Sequence, residues 1–70
     1  AELLEFEVPS QLVGHSVSEL TVTGQMMVTC VVRLGQAMVP SGATVFESED
    51  LVYVCVARSF LGRFRELIGY

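Results

Sequence analysis

Met26-Met27-Val28-Thr29-Cys30-Val31-Val32-Arg33, then Leu34-Gly35, then Gln36-Ala37-Met38-Val39-Pro40, is the run that decides the fold. Its first eight residues are rich in strand-forming types, Leu34-Gly35 is a turn signal, and Pro40 stops what Gln36 resumes, so the run predicts a β-hairpin. The turn is expected to be type I with Gly35 in the left-handed position of a bulge, because a two-residue primed turn favours Asn or Asp where Leu34 stands. Strict alternation sends Met26, Val28, Cys30 and Val32 to the core and Met27, Thr29, Val31 and Arg33 to the opposite face. That second face is mostly apolar and suits a subunit interface better than open water. Leu51-Val52-Tyr53-Val54-Cys55-Val56-Ala57 predicts a partner strand that is apolar at every position, so both of its faces need cover.

Outward from this centre, Leu4, Phe6 and Val8 alternate with Glu5 and Glu7, the period of a strand with one buried face, ended by Pro9. Its glutamates discourage edge-to-edge pairing. Ser16-x-x-Glu19 is a capping box and predicts a short helix from Val17 that ends by Gly24. His15, beside that cap, is expected to be solvated or to assist the cap. Pro40-Ser41-Gly42-Ala43 is a connecting turn, and Thr44-Val45-Phe46 is a short strand or a loop anchored by Phe46. Glu47, Glu49 and Asp50 lack the alternation and the glycine of a calcium loop and read as a solvated acidic loop. Ser59 is placed to cap a final helix whose apolar stripe is Phe60, Leu61, Phe64, Leu67 and Ile68. The sum is a small α+β domain over residues 1–70. It has a mainly antiparallel or mixed sheet, a short helix after the first strand and an amphipathic C-terminal helix packed on the sheet.

Composition narrows the function. A 70-residue chain hides only about 60% of its unfolded surface, yet 51% of its residues are hydrophobic and its mean hydropathy is +0.56. The surplus is expected to meet a second copy or a neighbouring domain of a longer protein, of which this sequence is expected to be a piece. The longest apolar run, Leu51 to Ala57, is far short of the roughly 20 residues that span a bilayer, so direct membrane insertion is not expected. No secretory leader is visible. Four arginines, no lysine and eight acidic residues give a net charge of −4, which repels nucleic acid. Cys30 and Cys55 sit mid-strand and are expected to be buried, reduced thiols, consistent with the cytoplasm. Two thiols on separate strands do not match zinc spacing, and no metal or cofactor is expected.

Catalysis is not expected. The single His stands at a predicted helix start, neither Cys has an acidic or imidazole neighbour in sequence, and no glycine-rich phosphate loop is present.

Taken in order, Leu4 to Val8, Leu12-Val13-Gly14-His15-Ser16-Val17-Ser18-Glu19-Leu20, Val31-Val32-Arg33-Leu34-Gly35, Val39-Pro40-Ser41-Gly42-Ala43-Thr44-Val45-Phe46 and Asp50 before the last strand resemble the RCK C-terminal domain, also called the TrkA C-terminal domain. The resemblance covers nearly the whole chain. It implies a non-catalytic cytoplasmic domain that forms a homodimer beside a Rossmann-type nucleotide-binding domain and passes ligand state to a membrane transport subunit for potassium or another cation. A purely structural dimerisation module on an anion symporter, an antiporter or a transcription regulator is the alternative. Some members bind cyclic di-AMP at the dimer interface through an Asp-x-Arg and an Asn; the corresponding positions here are Thr21, Thr23 and Gln25, which lack those charges. With Met26, Met27, Thr29 and Val31, these residues form the candidate interface and ligand site. The family's Gly-Asp before the last strand is Glu49-Asp50 here.

Overall fold

In the computed structural model, which describes residues 1–69, four strands form one antiparallel sheet. They are β1 (Glu2–Glu7), β2 (Met26–Arg33), β3 (Gln36–Met38) and β4 (Leu51–Val56), and a single α-helix, α1 (Leu61–Ile68), follows. The strand order across the sheet is β1-β4-β2-β3, so the most apolar strand, β4, is central. Its Val52, Val54 and Val56 are fully buried. Opposite them on β1 stand Phe6, Leu4 and Glu2. Phe64 of α1 meets Phe6 edge to face with ring centroids 5.6 Å apart, and Ile68 is 1% exposed one turn later. α1 therefore covers the face of the sheet that carries the three valines.

β2 departs from the alternation its sequence predicts. Met26, Met27 and Val28 face Val56, Cys55 and Val54, but Cys30, Val31 and Val32 face Tyr53, Val52 and Leu51. Thr29 is the extra residue of a β-bulge, and beyond it the pleat changes phase by one position. Val31 and Arg33 consequently turn to the core side, while Cys30 and Val32 turn outward. Val31 is 0% exposed, which removes it from the candidate interface. Cys30 and Cys55 are free and only half-buried, not enclosed in the core.

The bulge also places a cation where the acidic loop can use it. Arg33 donates from Nε and Nη2 to the two carboxylate oxygens of Asp50 at 2.9 and 2.7 Å, donates to the Val45 carbonyl at 2.9 Å and pairs with Glu47 at 2.9 Å. Asp50 is 1% exposed and also accepts the Glu47 N–H at 2.8 Å. Glu47 and Glu49 are solvated as expected, but Asp50 is not: it is the buried half of a clasp with Arg33. Glu49, at φ 72°, makes the tight corner before it.

Other local expectations change as well. The hairpin pairs Arg33 with Gln36, leaving a two-residue loop in which Leu34 (φ 51°) and Gly35 (φ 77°) both have positive φ. This is the signature of a primed turn, whose twist matches that of the strands it joins. The short helix after β1 is only a 3-10 turn, Val17–Leu20; the β-branched residues after it favour extended backbone, and Thr21 Oγ1 bonds back to the Val17 carbonyl at 3.2 Å. Its capping box forms, with Glu19 accepting the Ser16 N–H at 3.0 Å. His15 Nδ1 lies 2.8 Å from Glu19, so it assists the cap as expected, and the pKa of Glu19 is lowered chiefly by that contact. Ser59 does not cap α1, because a 3-10 turn over Arg58–Phe60 comes first. Thr44–Phe46 is a loop that runs along His15–Val17, with Phe46 buried as its anchor.

Candidate functional site

The face of the sheet turned away from α1 has no helix over it. Leu51, Tyr53 and Cys55 of β4, Met27, Cys30 and Val32 of β2, Leu3 of β1 and Ala37 of β3 share it by register. Leu3 is 77% exposed and Met27 55%, far more than apolar side chains on a monomer's sheet usually are. Polar relief comes from Glu5, which accepts a hydrogen bond from the Tyr53 hydroxyl, from Glu7, and from Thr29 at the bulge. That bond, aided by burial, raises the pKa of Tyr53.

At the Leu3 end of this face lies a groove of about 560 Å³. One wall is the tight turn between the 3-10 segment and β2, where Gln25 and Met26 donate their N–H groups to the Val22 carbonyl at 2.8 and 2.9 Å. Gly24, at φ 75°, supplies the left-handed position that this reversal needs. The other wall is Leu3, Met27, Cys55 and Ala57, and the Ala57 N–H to Gln25 carbonyl bond, 2.7 Å, ties the two walls together. Six of the seven sequence-predicted positions, Thr21, Thr23, Gln25, Met26, Met27 and Thr29, line this one groove, and Val31 does not.

No charged side chain lines it. Thr21 spends its hydroxyl on Val17, and Thr29 Oγ1 donates to the Tyr53 carbonyl at 3.2 Å, which leaves Thr23 and Gln25 as the polar side chains free to address an occupant among the described residues. A phosphate here would lose water without gaining the charge-assisted bonds that offset that loss. The arginines lie elsewhere: Arg33 is in the Asp50 clasp, Arg58 is 3.7 Å from Glu2, and Arg63 and Arg65 are on α1.

A second groove, about 310 Å³, adjoins the first through Leu3 and Thr29 and is walled by Cys30, Val32, Ala37 and Tyr53. Strict alternation predicts Cys30 and Val32 in the core, and the bulge turns them outward instead. In β2 the polar residues are Thr29 and Arg33, both on the same face by strict alternation, so their positions do not signal the change of phase between them.

Among the described residues, no cluster of three or more His, Cys, Asp or Glu is arranged to hold a metal ion. No helix among them is long and apolar enough to cross a membrane.

Comparison with known proteins adds the following. The family model of the TrkA-C domain matches residues 3–69. A Trk system potassium uptake protein TrkA from Streptomyces coelicolor is 42% identical over 53 residues, 76% of this chain and 24% of that relative's length. An RCK domain with cda superposes with a TM-score of 0.75 at 16% identity, over 97% of this chain and 99% of that one. The RCK_C domain dimer of S. agalactiae BusR in complex with c-di-AMP superposes with a TM-score of 0.73 at 22% identity, over 99% and 97%. S. agalactiae BusR in complex with its busAB-promotor DNA gives 0.72 at 22%, over 96% of this chain and 35% of that one. At these identities the superpositions establish the fold alone.

Proposed function

The chain belongs to the TrkA-C domain family, and on that premise we propose that it is a non-catalytic, cytoplasmic regulatory domain of a potassium or other cation transport system, acting as a homodimer. Its partners in the longer protein are a Rossmann-type nucleotide-binding domain and, through it, a membrane transport subunit. The observation that carries this reading is the open apolar face with its groove, a surface too greasy for water and continuous with the pocket that gathers the candidate residues. The potassium assignment is supported by the 42% identity to a potassium uptake protein.

A ligand in the groove regulates only by its differential affinity for two arrangements of the dimer. The uncharged lining favours a neutral occupant over a nucleotide diphosphate or cyclic dinucleotide. A second reading, a structural dimerisation module on a transcription regulator, is supported by that same missing charge and by the fold shared with a protein solved on promoter DNA.

Light scattering tests the dimer. The expected particle at tens of micromolar has twice the 7.7 kDa chain mass, and Leu3→Glu with Met27→Glu should halve it without changing the far-ultraviolet circular dichroism. A wild-type monomer that stays folded overturns the reading. A thermal-shift screen over nucleotides, nucleosides and divalent ions then separates ligand sensing from a structural role.

A further inference from the structure

We propose that Met27, Cys30 and Cys55 form a binding site for a soft monovalent cation, Cu(I) or Ag(I), on the open face of the sheet. Register sets Met27 directly opposite Cys55, and the bulge at Thr29 brings Cys30 onto the same face at the next outward position, diagonal to Cys55. Both cysteines are free and half-buried, and Met27 is 55% exposed in the single chain. Met27 and Cys55 line the larger groove and Cys30 the smaller, and these grooves join at Leu3 and Thr29.

The spacing distinguishes a metal site from a disulfide. Diagonal neighbours on adjacent strands stand roughly 7 Å apart, somewhat less between their Cβ atoms. A disulfide needs Cβ atoms about 3.8 Å apart, closer than diagonal neighbours stand, whereas a three-coordinate metal with bonds of about 2.3 Å holds its sulfurs roughly 4 Å apart and so suits a wider Cβ spacing. The ligand set selects the metal: thiolate and thioether donors favour Cu(I), and zinc would want four ligands where the described residues offer two thiols and no third hard or borderline donor. On binding, each thiol releases its proton to solvent and forms one sulfur–metal bond. Met27 adds a neutral third donor, and the metal keeps its oxidation state throughout. The inference does not depend on the transport assignment, but the site shares its face with the proposed dimer contact, so the titration is read beside the particle mass from light scattering.

The test is a competition titration of the intact chain with Cu(I), kept reduced by ascorbate, against a chromogenic Cu(I) chelator. Cys30→Ser, Cys55→Ser and Met27→Leu are titrated alongside. The expected result is one Cu(I) per chain with two protons released, an affinity lower by about 10²–10⁴-fold in either serine variant, because a tethered second ligand is lost, and a smaller loss for Met27→Leu. Two metals per chain, with each serine variant losing one and keeping the other at unchanged affinity, would show independent thiols and overturn the proposal. Circular dichroism of the metal-free variants checks folding. Should a variant be unfolded, X-ray absorption of the wild-type copper complex decides: two or three sulfur ligands support the site, and a nitrogen- or oxygen-dominated shell overturns it.

Discussion

Asp50→Asn is predicted to cost this domain about 3 kcal/mol. The carboxylate is 1% exposed, takes two hydrogen bonds from Arg33 at 2.9 and 2.7 Å and accepts the Glu47 N–H at 2.8 Å. Removing one member of a buried pair strands its partner and typically costs about 3–5 kcal/mol. Arg33 is 23% exposed at its side chain and keeps Glu47 at 2.9 Å, which sets the effect at the low end. A domain of this size has roughly 3.5–10 kcal/mol in total, so the substitution removes a third or more of it. Urea unfolding followed by circular dichroism, with an m-value of about 1 kcal/mol/M, should show a midpoint about 3 M lower or a chain already unfolded in buffer. Glu47→Gln is the control: that carboxylate is 63% exposed, and its loss is expected to cost no more than about 1 kcal/mol. The pair also carries a pH signature. Hydrogen bonding from Arg33 lowers the Asp50 pKa against the opposing effect of burial. The folded value therefore lies below the unfolded one, near 3.9, and the stabilisation is complete above that pH and disappears as pH falls through the folded value. The gap between wild type and Asp50→Asn should close over that acid window. A loss under about 1 kcal/mol at neutral pH, or a gap that stays constant to low pH, refutes the clasp.

Three further outcomes follow from backbone geometry. Leu34 occupies positive φ while 98% exposed, so Leu34→Asn should stabilise by about 1 kcal/mol by removing left-handed strain, seen as a higher melting temperature. Glu49→Gly should act the same way, since Glu49 at φ 72° stands where the resembling family has glycine; a lower melting temperature would mean that the relief of about 1 kcal/mol is outweighed by added freedom in the unfolded chain. Deleting Thr29, the extra residue of the bulge, should leave a folded chain in which Cys30 still reacts with a thiol reagent at its native rate, whereas deleting Val31 should abolish cooperative unfolding.

Much of this architecture was legible in the residues. Leu4, Phe6 and Val8 against Glu5 and Glu7 specified which side of β1 is buried, and Pro9 and Pro40 marked real ends. The stripe Phe60 to Ile68 found the helix, although its first turn tightened to 3-10. What escaped was phase and partnership. Thr29 sits in a strand where either face is apolar, so nothing in the pattern marks the slip that exchanges Cys30 and Val32 for Val31 and Arg33. Asp50 looked solvated because its partner, Arg33, is 17 residues away and reaches it only after that slip. Six of the candidate positions fall in or beside one turn, so their grouping in one groove is a local arrangement, whereas the placement of Val31 depended on strand phase.

The two borders of the sheet differ sharply from its bare side. β1 presents Glu2, Glu5 and Glu7, and β3 is three residues long with Pro40 two positions beyond it. Carboxylates and a truncated strand make poor templates for adding another chain by backbone pairing. The borders therefore resist side-by-side extension into a cross-β fibre, and the bare side is left as the surface on which a second copy is proposed to sit. Association by the bare side would be self-limiting, because the contact is used up once one further copy covers it.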